Sequence, residues 1–336
     1  MGKRLRLNLG ESGGMFGVFL ALFVLASIFV PNFFSVRNMQ ALALAVCTVG
    51  MVACTMLFCL ASGDFDLSVE AVVAFSGVLG AVVMGWTHSV LLGIASGLSA
   101  GALVGLVNGL VIAKFGINAL ITTLATMQIV RGLGFIVSGG RAVGIAEEKF
   151  FLLGGSLYDF FPEHGPGPLH AFRDWAAPVL QGIAVPVVLT VLCFLFFGFL
   201  LARTAFGRNT LAVGGNREAA RLAGVNVDRI KIIIFTMQGL VAGFAGIVLA
   251  SRMTSGQPNC AMGFALEVIS ACVLGGVSLT GGRGTMIGTV VGVLILGLMQ
   301  NAMNLLNIPT FYQYVARGLV LLAAVLFDRF RQARMA

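Results

Sequence analysis

Residues 203–231 read RTAFGRNTLAVGGNREAARLAGVNVDRIK and form the longest polar, basic interval of the chain. Apolar runs of roughly twenty residues, the length of a membrane-crossing helix, flank it on both sides. Within it, residues 218–224 (EAARLAG) favour a short helix that a glycine ends. Such an interval is either a docking surface or an idle linker, and the rest of the chain is needed to decide between them.

The composition is that of a protein surrounded by lipid. Of the 336 residues, 58% are hydrophobic and only 10% are charged, whereas soluble domains carry about 25% charged residues. No soluble core of this length absorbs so much apolar surface, so we expect the flanking runs to lie in a bilayer. The 45 glycines agree with this, because membrane helices approach closely at small residues.

The apolar runs predict an all-α polytopic membrane protein with about ten transmembrane helices, in a single domain over residues 1–336. The first run is interpreted as a retained span rather than as a cleaved signal peptide. The third and eighth runs are short and rich in small or polar residues. The predicted spans are residues 14–30, 41–61, 68–85, 90–113, 118–138, 178–201, 231–250, 264–280, 285–306 and 311–327.

The distribution of Lys and Arg predicts the orientation in the membrane. With ten spans and a cytoplasmic N-terminus, the C-terminus is cytoplasmic as well, and fourteen Lys and Arg residues fall inside against five outside. Because positive charge favours the cytoplasmic side, residues 202–230 are expected to form a cytoplasmic loop and residues 139–177 an extracytoplasmic one. The net charge of +8 follows from this orientation and does not indicate a nucleic-acid partner.

Short motifs recur along the chain at an offset of 186 to 189 residues. Glycines at a spacing of four in the fourth run recur in the ninth, and VRGL at 130–133 recurs as ARGL at 316–319. Since the copies are an odd number of spans apart, they predict an inverted repeat of roughly 41–138 and 231–330. The alternative is that glycine-rich membrane helices resemble one another. The glycines predicted to pack helices together are Gly97, Gly101, Gly105, Gly109, Gly288 and Gly292.

Polar residues within the apolar runs are candidates for a transport pathway. The loop SGDFDLS at 62–68 is either a hydrated turn, with Asp66 or Ser68 capping the next helix, or an inward-dipping part of the pathway. The amides and hydroxyls of the fifth, ninth and tenth runs either bond one another or line a wet path for a polyhydroxylated solute. The candidate pathway residues are Asp66, Asn118, Thr122, Thr126, Gln128, Asn304 and Gln313.

The sequence offers no motif for catalysis, metal binding or nucleotide binding. None of its four lysines precedes Ser or Thr, so no Walker A loop is present, and no catalytic Ser, Cys or His constellation is found. We therefore expect no cofactor and no metal in this chain. A pump built on it needs its ATPase on another polypeptide. A secondary transporter working alone and an intramembrane enzyme are the alternatives from other classes.

Several segments resemble bacterial ABC importer permeases. EAARLAG is similar to the EAA–G loop of that class. The sugar branch of the ribose/branched-chain amino-acid permease family is resembled by SGDFDLSV at 62–69, VLGGVSLTGGRG at 273–284 and VARGLVLLAAVLFDR at 315–329. Asp64 stands where a glycine is usual in that branch, and the 139–177 loop departs most from it. The resemblance covers most of residues 15–330.

The resemblance implies a homodimeric permease in the bacterial inner membrane. It implies cytoplasmic ABC ATPase subunits that hold ATP and Mg, and a periplasmic sugar-binding protein. It implies a pentose as cargo, with L-arabinose expected. The alternatives are a different substrate, namely ribose, xylose, galactose or an autoinducer. The 202–230 loop then docks on the ATPase. The residues expected to couple the two subunits are Arg208, Arg217, Glu218, Ala219, Ala220, Arg221 and Gly224.

Overall fold

The computed structural model describes residues 9–161, 176–177 and 179–333, which are mainly helical. The basic residues expected near the N-terminus (Lys3, Arg4 and Arg6) lie outside the described residues, as does the 162–175 part of the predicted extracytoplasmic loop. The rest of that loop contains one helical turn at Glu148–Phe151, a 3₁₀ turn at Leu157–Phe160 and the two-residue strand β1 at Val143–Gly144. β1 pairs antiparallel with β2 at Ser255–Gly256.

The helices of the described chain confirm the all-α prediction. Numbered in chain order, they are α1 Leu9–Phe29, α2 Val36–Ala45, α3 Cys47–Ala61, α4 Val69–Thr87, α5 Val90–Lys114, α6 Ala119–Ser138, α7 Glu148–Phe151, α8 Val185–Arg203, α9 Ala205–Gly215, α10 Arg217–Leu222, α11 Val227–Met253, α12 Phe264–Leu274, α13 Met286–Leu305 and α14 Thr310–Ala333.

Seven stretches of the described residues are long and apolar enough to cross a membrane. They are α2 with α3 (Val36–Ala61), α4, α5, α6, α8, α11 and α13. Residues Gly13–Phe29 of α1 and the whole of α12 are apolar but shorter. The multi-pass architecture is therefore established, whereas a count of ten spans depends on α1, α12 and α14.

The eighth predicted span, residues 264–280, differs from the structure. Its helix, α12, has eleven residues and ends at Leu274. Gly276 adopts φ +87°, its N–H donates to the Val273 carbonyl at 2.8 Å, and the next N–H, of Val277, donates to Cys272 at 3.0 Å. This left-handed glycine closes the helix end. A continuous apolar run therefore did not produce a continuous helix.

Helices α5 and α11 pack against each other through glycines. A methyl group at Gly101 would overlap the Gly239 carbonyl oxygen, and one at Gly105 would overlap that of Phe235. The α5 glycine ladder thus faces α11 of the same chain. In the second half, Gly288 and Gly292 of α13 lie against the carbonyls of Gly275 and Ala271. Every residue of α3 is also buried.

Candidate functional site

The EAARLAG motif forms the short helix α10 followed by a left-handed glycine. The Asn216 side chain caps the helix by accepting from the Ala219 N–H at 2.9 Å. At the other end, the Gly224 N–H donates to Arg221 and the Val225 N–H donates to Ala220, both at 3.0 Å. Gly224 has φ +84° and open space around it. Because a side chain at this position would meet no neighbour, glycine is needed here for its left-handed backbone conformation and not for its small size.

The outer face of α10 is exposed and carries most of the residues expected to couple. Ala220 is buried at 5% exposure, whereas Leu222 is 88% exposed. Arg221 pairs within the chain, to Glu218 at 3.8 Å and to Asp228 at 4.0 Å. Leu222 was not among the residues expected to couple. It follows the buried Ala220 by two residues, which on a helix places it on the opposite side, away from the core. The residues on this face are Arg217, Glu218, Ala219, Arg221, Leu222 and Gly224, and Arg208 is exposed on α9.

A buried ion pair lies beneath this segment. The Lys231 Nζ atom in α11 is 2.6 Å from Asp64 Oδ2 in the 62–68 loop, and the two side chains are 5% and 10% exposed. Close by, a methyl group at Gly214 of α9 would overlap the Ala61 carbonyl oxygen. The α9–α10 segment is thereby joined to the end of α3 and to the start of α11. The sequence feature that could have pointed to this ion pair is Asp64, because it departs from the resembled family.

Asp66 lies in the same loop and is also buried. Its Oδ1 atom accepts from the Ser68 N–H at 2.9 Å and from the Ser68 hydroxyl at 2.6 Å, and Asn108 of α5 donates to that hydroxyl at 2.9 Å. Oδ2 has no hydrogen-bond partner within the part of the chain that the structure describes. Burial raises the pKa of Asp66 to about 6, although both hydrogen bonds from Ser68 lower it. The loop is therefore a structured turn at the start of α4, and Asp66 is enclosed within it.

The other candidate pathway residues make local hydrogen bonds. Asn118 caps α6 through the Leu120 N–H at 2.8 Å, and the Thr122 and Thr126 hydroxyls donate to carbonyls of their own helix. These bonds do not join the group to Asp66.

At the junction of α13 and α14, Gln313 donates to Asn304 and to the Ile308 carbonyl, both at 2.9 Å. Gln128 is exposed on α6. The hydrogen bonds of these residues thus define separate groups and do not assemble one polar path.

Two arginines within the predicted spans form matching ion pairs. Arg131 of α6 lies 3.3 Å from Glu70 of α4, and Arg317 of α14 lies 3.1 Å from Glu267 of α12. The arginines occupy the VRGL and ARGL motifs. Their glutamates were not identified from sequence, although a charge at this depth requires a partner.

The chain belongs to the family described as branched-chain amino acid transport system / permease component, whose model matches residues 38–325. It is a permease and a multi-pass protein of the inner membrane. It is 59% identical to the L-arabinose transport system permease protein AraH of Escherichia coli (strain K12), over 95% of this chain and 90% of that protein. The L-arabinose ABC transporter permease protein AraH of Azospirillum brasilense is 54% identical, over 95% and 88%. The ribose import permease protein RbsC of Bacillus subtilis (strain 168) is 39% identical, over 94% and 93%. No solved structure matches the chain. The predicted family is thereby confirmed.

Proposed function

We propose that this chain is the membrane-spanning permease subunit of an ATP-driven L-arabinose importer. The supporting observation is the gap between its identity to two L-arabinose permeases, 59% and 54%, and its 39% identity to a ribose permease at nearly equal coverage. Ribose is the second candidate cargo, because the chain is also 39% identical to that ribose permease. The ATP and Mg belong to separate cytoplasmic ABC ATPase subunits, and a periplasmic sugar-binding protein delivers the sugar.

The proposed architecture has ten spans, an inverted repeat and both termini in the cytoplasm. The two matching Arg–Glu pairs support the repeat, because each joins the arginine of the recurring RGL motif to a glutamate in the first turn of the helix two before it. Alternation of the spans is supported by contacts at opposite ends of α11. Asp228 at its start pairs with Lys114 at the end of α5, and β2 after its end pairs with β1 after α6.

Coupling is proposed to run from the 202–230 segment into the membrane helices. The exposed face of α10 docks in the ATPase through Glu218 and Ala219, and Gly224 ends this docking helix. Ala220, which was also expected to couple, is buried and instead holds the helix on the rest of the permease. Movement of the ATPase then shifts α9 and α10 as a unit against Ala61 and the Lys231–Asp64 pair. Since these contacts belong to α3 and α11, one from each repeat, the push rocks the repeats against each other in a homodimer.

The test is reconstitution of the permease with its ATPase and binding protein in liposomes. We expect ATP-dependent uptake of L-arabinose and stimulation of the ATPase by the L-arabinose-loaded binding protein, with ribose clearly less effective. Uptake by the permease alone would instead support a secondary transporter. Preference for ribose would overturn the cargo while leaving the importer class in place.

Replacing Gly224 with valine is expected to lower coupled uptake by about tenfold or more, because a β-branched residue held at φ +84° costs about 1–3 kcal/mol. The helix end then shifts out of its docking position. Gly224→Asn is the matched control, since Asn tolerates the left-handed conformation, and it should retain most of the uptake. The amount of each variant in the membrane and the sugar-stimulated ATPase are measured together. Normal coupling in the valine variant would refute the docking role.

A further inference from the structure

A cavity of about 150 Å³ lies between α12, α13 and α14. Its wall is mostly apolar, with a few polar groups provided by Glu267, Ser270, Gln300, Tyr314 and Arg317. A concave, mostly apolar space with a small number of fixed polar groups is the usual form of a small-molecule site. The proposed function above does not use this cavity.

Arg317 has unused hydrogen-bonding capacity here. One guanidinium nitrogen donates to Glu267 at 3.1 Å, and the group lies 5.2 Å from the centre of the Tyr314 ring. Its Nε atom is buried and has no hydrogen-bond partner among the described residues. An arginine presents five N–H donors, and leaving a buried donor unsatisfied is unfavourable.

The equivalent pair in the first half shows what satisfies such an arginine. Arg131 donates to the carbonyls of Pro258 and Cys260 at 3.0 and 2.8 Å, in addition to Glu70. The segment 258–263 thus fills the space beside the first pair and supplies oxygen acceptors. Beside Arg317, the cavity occupies the place that this segment takes beside Arg131. The second pair therefore has room for a ligand that brings its own oxygen atoms.

The pair also restricts the charge and size of that ligand. Glu267 and Arg317 neutralise each other, so an ion of either sign meets one repelling group. A hydroxyl both donates and accepts, which matches a carboxylate beside a guanidinium. A pentose has about ten non-hydrogen atoms, and on the order of ten water-sized positions fit in a cavity of this volume.

We infer that this cavity, with Glu267, Arg317 and the Tyr314 ring, is a pentose-binding site within the membrane part of the permease. The inference rests on the proposed function, because it takes the transported sugar as the ligand. Vicinal hydroxyls bridge the carboxylate and the guanidinium, and the apolar face of the sugar ring packs on the aliphatic wall. The sugar occupies the site transiently between release from the binding protein and entry into the cytoplasm.

The first experiment fills the cavity. Gly318 lines it, and a methyl group added there meets no atom within 4 Å. Gly318→Leu therefore occupies the sugar's space without displacing backbone, and Gly132→Leu, at the equivalent glycine of the first half with the same open surroundings, is the matched control. In reconstituted transporter, we expect the sugar moved per ATP to fall by about tenfold or more for Gly318→Leu. The loaded binding protein should still stimulate its ATPase, and the control should couple normally.

The second experiment tests occupancy and does not depend on transport by the leucine variant. Cys193 and Cys260, which are only partly buried, are replaced with serine, and Gly318→Cys is labelled with a small maleimide in the whole transporter. L-arabinose at about ten times its dissociation constant should slow this labelling by about tenfold, while labelling of Gly132→Cys stays unchanged.

The outcomes separate this inference from the proposed function. If the wild-type transporter does not move L-arabinose, the proposed cargo fails, and protection by the sugar that it does move then decides on the site. The pentose site alone is refuted if L-arabinose is transported, does not slow labelling of Gly318→Cys, and is moved as well by Gly318→Leu as by the wild type. Protection at Gly318 without protection at Gly132 supports it.

Discussion

Replacing Gly105 with leucine is expected to separate α5 from α11 and to remove most of the folded protein. The space for even a methyl group is taken by the Phe235 carbonyl oxygen, with the Thr236 backbone at 3.0 Å. Backbone atoms in a helix cannot turn aside as a flexible side chain does. We therefore expect the upper end of the overpacking range, about 3 kcal/mol or more. The measurement is the yield of monodisperse protein in mild detergent, together with its Tm.

Gly85→Leu provides the control for this substitution. Gly85 also lies in a membrane helix, α4, but a methyl group added there meets nothing within 4 Å. Its leucine variant should express and melt like the wild type. Equal loss in both variants would show that leucine is harmful in these helices in general, and equal tolerance would show that the α5–α11 contact is not tight.

Replacing Lys231 with methionine is expected to destabilise the protein by about 3–5 kcal/mol, the usual cost of leaving one member of a buried ion pair alone. Asp64 is then left without its partner, with a side chain only 10% exposed. The double variant Asp64→Asn/Lys231→Met should recover most of this loss, because no unpaired charge remains. The free energies of unfolding of the two single variants and the double variant form a cycle that isolates the interaction.

The pair between Lys114 and Asp228 is the matched control at the same end of α11. Its atoms are 3.6 Å apart, but its side chains are 59% and 31% exposed. Exposed pairs contribute about 0–1 kcal/mol, so Lys114→Met should have little effect. A loss for Lys231→Met as small as that for Lys114→Met would mean that water reaches the Lys231 site.

Local patterns were enough to predict several elements. The run at 90–113 became α5 (Val90–Lys114), the run at 118–138 became α6 (Ala119–Ser138), and 285–306 became α13 (Met286–Leu305). Hydropathy places such helices because transfer into lipid is a property of each side chain by itself. The same pattern failed at 264–280, where two glycines end α12 at Leu274, before the apolar run is complete. Hydropathy does not register that backbone change.

The candidate site was likewise predictable from sequence only in part. The glycine end of α10 was predictable, since a left-handed residue after a short helix is a local requirement. The hydrogen bonds of Thr122 and Thr126 were not anticipated, because a threonine in a helix can bond its own backbone and its sequence does not show which partner it takes. The cavity beside Arg317 was likewise invisible before three helices were placed around it.

The sequence by itself determined the membrane class, most of the helices, the family and the form of the α10 motif. All of these depend on the chemistry of single residues or on neighbours within a few positions. Only the tertiary structure decided that Lys231 pairs with Asp64, that Arg131 and Arg317 pair with Glu70 and Glu267, and that the α5 glycines face α11. The physical reason is that lipid requires a buried charge to have a partner but does not specify which one. That choice is made by which helices pack as neighbours.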